Sequence, residues 1–456
     1  MNKANRPFTL FLILSAGLLV FVAGVALSFF RLPPALWVET ALEGGKVWMD
    51  ALLHPLQHAG RADDAVLRRQ VTWNKDKAFN GYTLLTLGNS TTAYLVDMDG
   101  NVVFTWSAPF ENVWPHAKHI HYVGTELAGS TMLGKAKLLP NGDLLAVYEG
   151  IGDTPYGYGL AKIDRHGKAV WTYDDNMHHD LYIDKENGNI YGLSHALVDN
   201  HPLDSDDIMR RVLMDTIVTL SPQGKELDRL PVIDAFLNSP YRLLLTSQIV
   251  NQEWDVMHTN SIVKLEPSMA AAFPLFKPGQ LLVSVRNPSI LAVVDPKTRA
   301  VVWAYGGLWK HQHSARFLPN GHILLFDNEC YEVDQRTNSC IVEFDPNRLA
   351  VAWSYEGSVE NPFFSKEGGS VERLPNGNSL ILEAHRSRIF EVTPDKELAW
   401  EYKLPRTLIT ETDPGGKEKE VIEVFITSAT RYTADELPFL KQLPPAQAAK
   451  DHPLKK

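Results

Sequence analysis

One short pattern recurs along the chain: an Asp-led turn followed by an apolar strand that ends in Trp. It appears at residues 97–106 (DMDGNVVFTW), 164–173 (DRHGKAVWTY), 295–305 (DPKTRAVVWAY), 345–355 (DPNRLAVAWSY) and 393–402 (TPDKELAWEY). Residues 221–230 (SPQGKELDRL) are a degenerate copy without the Trp. A second turn repeats with it, LPNG at 139–142, 318–321 and 374–377, and ENG at 186–188. The unit is most complete over 311–355, where SARFL, HILLF, CIVEF and AVAWSY read as four short strands separated by turn residues. A four-stranded unit repeated at roughly 45–55 residues cannot bury its faces alone, and six ordered copies predict an all-β, six-bladed β-propeller.

The first copy opens at GYTLLTLG (81–88), already a second strand, with no first strand before it. FITSATRYT at 425–433 resembles the first strand HSARFLP at 313–319. The C-terminal strand is therefore expected to complete blade one and remove an open sheet edge. The other blades are expected at 133–173, 179–230, 258–305, 313–355 and 369–402. The propeller then spans 79–435, with a Pro- and Lys-rich loose tail at 436–456.

Ahead of the ring, Lys3 and Arg6 precede an uncharged apolar run over 8–30, long enough for the ~20 residues of a membrane-spanning helix. The basic flank favours a cytoplasmic N-terminus, so 1–31 reads as cytoplasmic N-terminus and transmembrane anchor. A cleaved signal peptide would carry a shorter apolar region and an A-x-A-like site, which 22–28 does not offer cleanly. Helical patterning over 32–78 reads as a short stalk. A formal charge of −10, with no basic run in the ring, argues against nucleic acid as a partner. The two cysteines, Cys330 and Cys340, flank a polar excursion between two strands of one blade. Outside the cytoplasm they are expected to form a disulfide.

His179, His258 and His313 each sit at the start of a first strand, in three adjacent blades. First strands line the channel of a propeller, so the three imidazoles should meet at one mouth. Gly134 and Gly369 hold the matching places in blades two and six and leave space there. Second strands return to the same mouth and end in Glu149, His195, Arg286, Asn328 and His385. Convergent ionisable groups in a cleft mark a site. Three histidines suggest zinc or copper, but an Arg aimed at the same point would repel a cation. Imidazoles with a guanidinium suit an anionic group with several oxygens: one neutral ring attacks while the other groups neutralise charge. Trp114 and Tyr122, in the insertion over 107–130, could flank an aromatic ring or simply pack.

The blades resemble the bacterial arylsulfate sulfotransferases. The resemblance rests on TTAYLVDMDGNVVFTW in blade one, HHD at 178–180, MHTNS at 257–261, VSVR at 283–286 and QHSARFLPNGHILLFDN at 312–328. It covers about 81–432. It implies nucleotide-independent transfer of a sulfuryl group from an aryl sulfate to a phenol, by a ping-pong route. His313 would be the nucleophile, with His179, His258 and Arg286 holding the sulfuryl and phenolic oxygens. Asn260, Asn328, His385 and His195 would line the substrate. No cofactor and no metal is expected. The membrane anchor and stalk stand where well-studied members carry an N-terminal β-domain. A single-pass inner-membrane protein with a periplasmic propeller is expected, and association as a homodimer is left open. A non-catalytic propeller holding an anion at the same mouth, or a metal enzyme using the same histidines, are the alternative readings.

Overall fold

The computed structural model describes residues 66, 69–120, 131–150, 155–199, 211–248, 255–333, 336–358, 361–405, 408–412, 418–422 and 424–443. They form six antiparallel sheets of four or five strands and one separate hairpin, Leu408–Thr412 with Glu418–Ile422. The fold is an all-β, six-bladed propeller. From blade one to blade six the inner strands are Ile426–Tyr432, Thr131–Leu138, Met177–Ile183, Thr259–Lys264, His313–Phe317 and Ser370–Arg373. Blade one takes its inner strand from the C-terminal end of the chain. Tyr82 pairs with Tyr432 and Thr86 with Ser428. The Thr86 and Ser428 hydroxyls, 342 residues apart, lie 2.7 Å from each other.

The repeated turns owe their composition to backbone hydrogen bonding. The Asp164 carboxylate accepts from the His166 and Lys168 N–H groups at 2.8 and 3.0 Å. Asp97, Asp295 and Asp345 accept in the same way from Asn101, Lys297 and Asn347. In the variant copies the Ser221 and Thr393 hydroxyls take the N–H groups of Lys225 and Glu397. Any short oxygen-bearing side chain can fill this Asx-type role, which is why the motif tolerates Ser and Thr. The glycines of the three LPNG turns all have φ near +90° (88, 87 and 89°), where a side chain would strain the backbone.

The hydrophobic clusters lie between blades. One joins blades one and two, and others join two and three, three and four, four and five, five and six, and six and one. The repeated Trp locks several of these joints. The indole N–H groups of Trp106, Trp353 and Trp400 donate to the Gly142, Pro394 and Met98 carbonyls of the next blade.

Three boundaries differ from expectation. The stalk expected over 32–78 is not helical at its end. Gln70–Trp73 is a fifth, outermost strand of blade six, paired with Trp400–Lys403. The tail expected from 436 is anchored through a short 3-10 turn, Pro438–Gln442. Leu437 and Phe439 are buried there against Trp106, because two large apolar side chains complete the joint between blades one and two. The polar excursion of blade five is a continuation of the sheet, with strands Ile323–Val333 and Arg336–Asp345 pairing out to Val333 and Arg336. Cys330 and Cys340 are joined by a disulfide, Cα–Cα 5.8 Å. The anchor expected over 8–30 lies outside the described residues, and no described helix is long and apolar enough to cross a membrane.

One irregularity positions the site. The pairing of the inner strand slips in blades one to five, at Thr86/Leu87, Leu133/Lys135, Gly192/Leu193, Thr259/Ser261 and His313/Arg316. A bulge leaves one residue unpaired and re-aims its neighbours. His179, His258 and Ser314 have φ of 57, 50 and 56°, left-handed values uncommon for residues other than glycine.

Candidate active site

His313 is buried at the start of the blade-five inner strand, 6% exposed. Its Nδ1 lies 2.7 Å from Asn328 Oδ1 and 3.0 Å from the His311 carbonyl. The orientation of the Asn328 amide is settled independently, since its Nδ2 donates to the Ser365 and Gly368 carbonyls, both at 2.7 Å. Both partners of His313 Nδ1 are therefore acceptors, so Nδ1 carries the proton and the lone pair sits on Nε2. No hydrogen bond reaches Nε2 among the described residues. Burial lowers the imidazole pKa to about 3, against the pull of Asn328, with the Arg286 charge adding to the depression. The ring is thus neutral at any physiological pH.

The mouth around it is built by the bulged strand starts. His258 is half-buried, with Nδ1 2.5 Å from Asp255 Oδ2. Arg286 lies beside it, and its backbone N–H donates to the His258 carbonyl at 3.2 Å. Arg286 Nη1 donates to Asn287 Oδ1 at 2.7 Å. The His179 and His258 rings stand edge to face, centroids 4.9 Å apart. Tyr156 touches both, at 5.5 and 5.8 Å. The His179 N–H donates to Glu149 Oε1 at 2.5 Å. Burial pushes the Glu149 carboxyl up to about 7. Gly134 makes room for this carboxyl, because a Cβ there would lie 2.4 Å from it.

Behind this layer lies a second, fully buried one. His178 Nδ1 is 2.8 Å from His179 Nδ1. His178 stacks on His195, centroids 4.2 Å apart and planes 20° from parallel. His178 Nε2 lies 3.6 Å from Asp215 Oδ1, and the other Asp215 oxygen accepts the Thr259 N–H at 2.5 Å. Burial holds His178, His179 and His195 well below the ordinary imidazole range, with neighbouring histidines deepening the shift. Burial, reinforced by Asp255, raises Asp215.

His178, His195 and Asp215 bring one ligand atom each within 4.8 Å of the others, but the geometry does not suit a shared ion. Two nearly parallel stacked rings cannot both point an in-plane lone pair at one metal. His195 Nε2 already accepts the Gly157 N–H at 3.0 Å. The other such group, Asp184, Glu186 and Glu266, is occupied by the Lys264 ammonium, 2.6, 3.3 and 3.7 Å from the three. Neither group contains His258 or His313.

The structure thus gathers His179, His258, Arg286 and His313 at one mouth, and places the other expected residues differently. Asn328 and Asn260 are buried, and their amides hold the protein's own backbone and His313. Asn260 Nδ2 donates to the Gln312 carbonyl at 2.9 Å. His195, 1% exposed, is packed behind Tyr156 (4.4 Å) and away from the mouth. His385 is exposed on the 3-10 turn Ala384–Arg386, its ring 6.3 Å from Phe364. Trp114 is a packing residue, stacked on Phe110 with its N–H on Asp174. Tyr122 lies outside the described residues. Sequence reasoning missed Tyr156, Asp215 and Asp255. Only Asp255 gave any sign, three residues ahead of His258.

Residues 135–404 match the arylsulfotransferase (ASST) family. The chain belongs to that family. The matched span includes His179, His258, Arg286 and His313. No curated protein matches the chain. Similar solved structures include a protein of unknown function from Bacteroides caccae, at 13% identity and TM-score 0.45, covering 71% of this chain and 93% of that one. Another is a streptogramin B lyase at 10% and 0.41, covering 81% and 99%. A quinohemoprotein alcohol dehydrogenase from Comamonas testosteroni stands at 11% and 0.40, covering 78% and 72%.

Proposed function

We propose that this arylsulfotransferase moves a sulfuryl group from an aryl sulfate to a phenolic acceptor, without a nucleotide donor, through a covalent sulfohistidine at His313. The observation that carries this reading is the commitment of His313 Nδ1 to two acceptors, which leaves a neutral ring with its lone pair on Nε2. Nε2 attacks sulfur as the bond from sulfur to the phenolic oxygen breaks. Arg286 and His258 neutralise the sulfuryl oxygens, and Asp255 fixes the His258 ring. An acceptor phenol then attacks the same sulfur and the imidazole departs, a good leaving group because it keeps its Nδ1 proton and leaves uncharged.

The test is intact-protein mass spectrometry after brief exposure to 4-nitrophenyl sulfate, with released phenol monitored. Wild type should release phenol and gain a labile sulfuryl adduct, and His313→Ala should do neither. Absence of adduct and of release across several donors would overturn the reading in favour of a propeller that holds an anion without turnover.

A further inference from the structure

The contact between His178 Nδ1 and His179 Nδ1, 2.8 Å, imposes a rule on the site. Adjacent residues of a strand normally point to opposite faces, and it is the left-handed backbone at His179 that brings the two rings together. Only one proton can lie between the two nitrogens, so two neutral rings must hold opposite tautomers. If His178 donates, His179 presents an N–H at Nε2. If His179 donates, its Nε2 presents a lone pair. No hydrogen bond reaches His179 Nε2 among the described residues. The choice is set from behind, where His178 Nε2 and Asp215 Oδ1 face each other at 3.6 Å. Both atoms are buried without a hydrogen-bond partner, on side chains 0% exposed.

We propose that Asp215, His178 and His179 form a proton relay that supplies the proton of the departing phenol and takes up that of the incoming one. This rests on the sulfuryl-transfer reading above. At the start Asp215 carries a proton on Oδ1, His178 on Nδ1 and His179 on Nε2. As sulfur leaves the donor oxygen for His313 Nε2, His179 Nε2–H protonates that oxygen. His178 Nδ1–H passes to His179 Nδ1, and Asp215 Oδ1–H passes to His178 Nε2. The donor departs as a neutral phenol and Asp215 is left as a carboxylate. The acceptor hydroxyl returns its proton along the same path, so the full cycle balances. The Nε2 to Oδ1 distance has to shorten below ~3.2 Å for the last transfer, as catalytic hydrogen bonds do on substrate binding.

Other groups face the relay. His195 and His258 act on His178, while His258, His313 and Arg286 act on His179. Asp255 acts on Asp215, and Tyr156 feels Asp255, Asp215, Glu149 and Arg286. Tyr156 Oη is 3.5 Å from His179 Nδ1, too far to displace His178.

Asp215→Asn tests this in the full chain. The amide carbonyl can keep the Thr259 N–H while the NH₂ faces His178 Nε2, which locks His179 as a donor with no proton to move. Phenol burst rates would be compared for 4-nitrophenyl sulfate, whose leaving group needs no proton, and phenyl sulfate, whose phenol has a pKa near that of tyrosine, about 10. The first should stay within about 3-fold of wild type and the second should fall about 10²-fold, the low end of general-acid catalysis. His178→Gln should show the same split. Equal losses on both donors would overturn the relay and leave a merely structural role.

A second arm does not need activity. In ¹⁵N-histidine-labelled wild type, His178 and His179 should show opposite tautomers. Raising the pH through the Asp215 titration should exchange them, and Asp215→Asn should hold one fixed. Like tautomers, or a pair that Asp215→Asn leaves unaltered, would also overturn it. If no donor gives an adduct, the sulfuryl reading fails and these spectra decide the relay separately.

Discussion

Burial lowers His313 to about 3, so its lone pair is available throughout pH 5–8. The burst with 4-nitrophenyl sulfate should therefore show no loss from protonation of the nucleophile in that window. A tenfold drop centred near the ordinary histidine value of ~6.5 would mean that the ring behaves as an exposed one. Glu149 works in the opposite sense. Burial raises its folded pKa to about 7, above the ordinary glutamate range, and marks a carboxyl most stable when protonated. The stability tied to that form is complete below the unfolded value and is lost as pH rises through about 7. Glu149→Gln keeps an acceptor for the His179 N–H and cannot ionise. It should match wild type at pH 4 and gain up to about 3 kcal/mol at pH 8, read as a difference in Tm between the two pH values. Histidines 179, 258 and 313 were legible in the sequence because they repeat at one register of the blade. Asp215 and Tyr156 were not, because they approach the site through space from a third strand and a loop, with no repeat to flag them.

The strands were legible for a physical reason. Each Asp-led turn needs an oxygen at one position to take backbone N–H groups, and each LPNG turn needs a residue at φ near +90°, so the chain marks its own strand boundaries. Bulges leave no such mark. A residue skipped in pairing looks in sequence like any other, and that is where His179 and His258 acquire their aim. Blade two shows how tightly one bulge is set. Gly134→Ala would place a Cβ 2.4 Å from the Glu149 carboxyl, and Glu149 holds the His179 backbone. The substitution should cost about 1–3 kcal/mol, in the range of overpacking. It should also lower the burst rate, with Tm and burst measured on the same preparation. A variant that loses neither would show that the strand start can yield.

Six joints between blades, rather than one central core, hold the ring together. Loss of any one strand should therefore be felt all round. A chain ending at residue 424 lacks the inner strand Ile426–Tyr432 and leaves Tyr82–Leu87 with a bare edge. It should elute as aggregate in size-exclusion chromatography where the full chain gives a discrete species. The proposed anchor over 8–30 makes a separate prediction. The full chain should sediment with membranes and resist alkaline extraction, and replacing three of its leucines by lysine should release it. The apolar run was plain in the sequence, whereas the strand at Gln70–Trp73 was not, since its pairing with blade six spans more than three hundred residues. The closure of blade one has a consequence in time. Thr86 is made long before Ser428, 342 residues later, and at ~5–20 residues per second the interval is roughly 20–70 s. For all of that interval the first blade to leave the ribosome has no inner strand. The nascent chain must be shielded by whatever receives it until the strand Ile426–Tyr432 arrives, and the earliest-made blade is the last to become native.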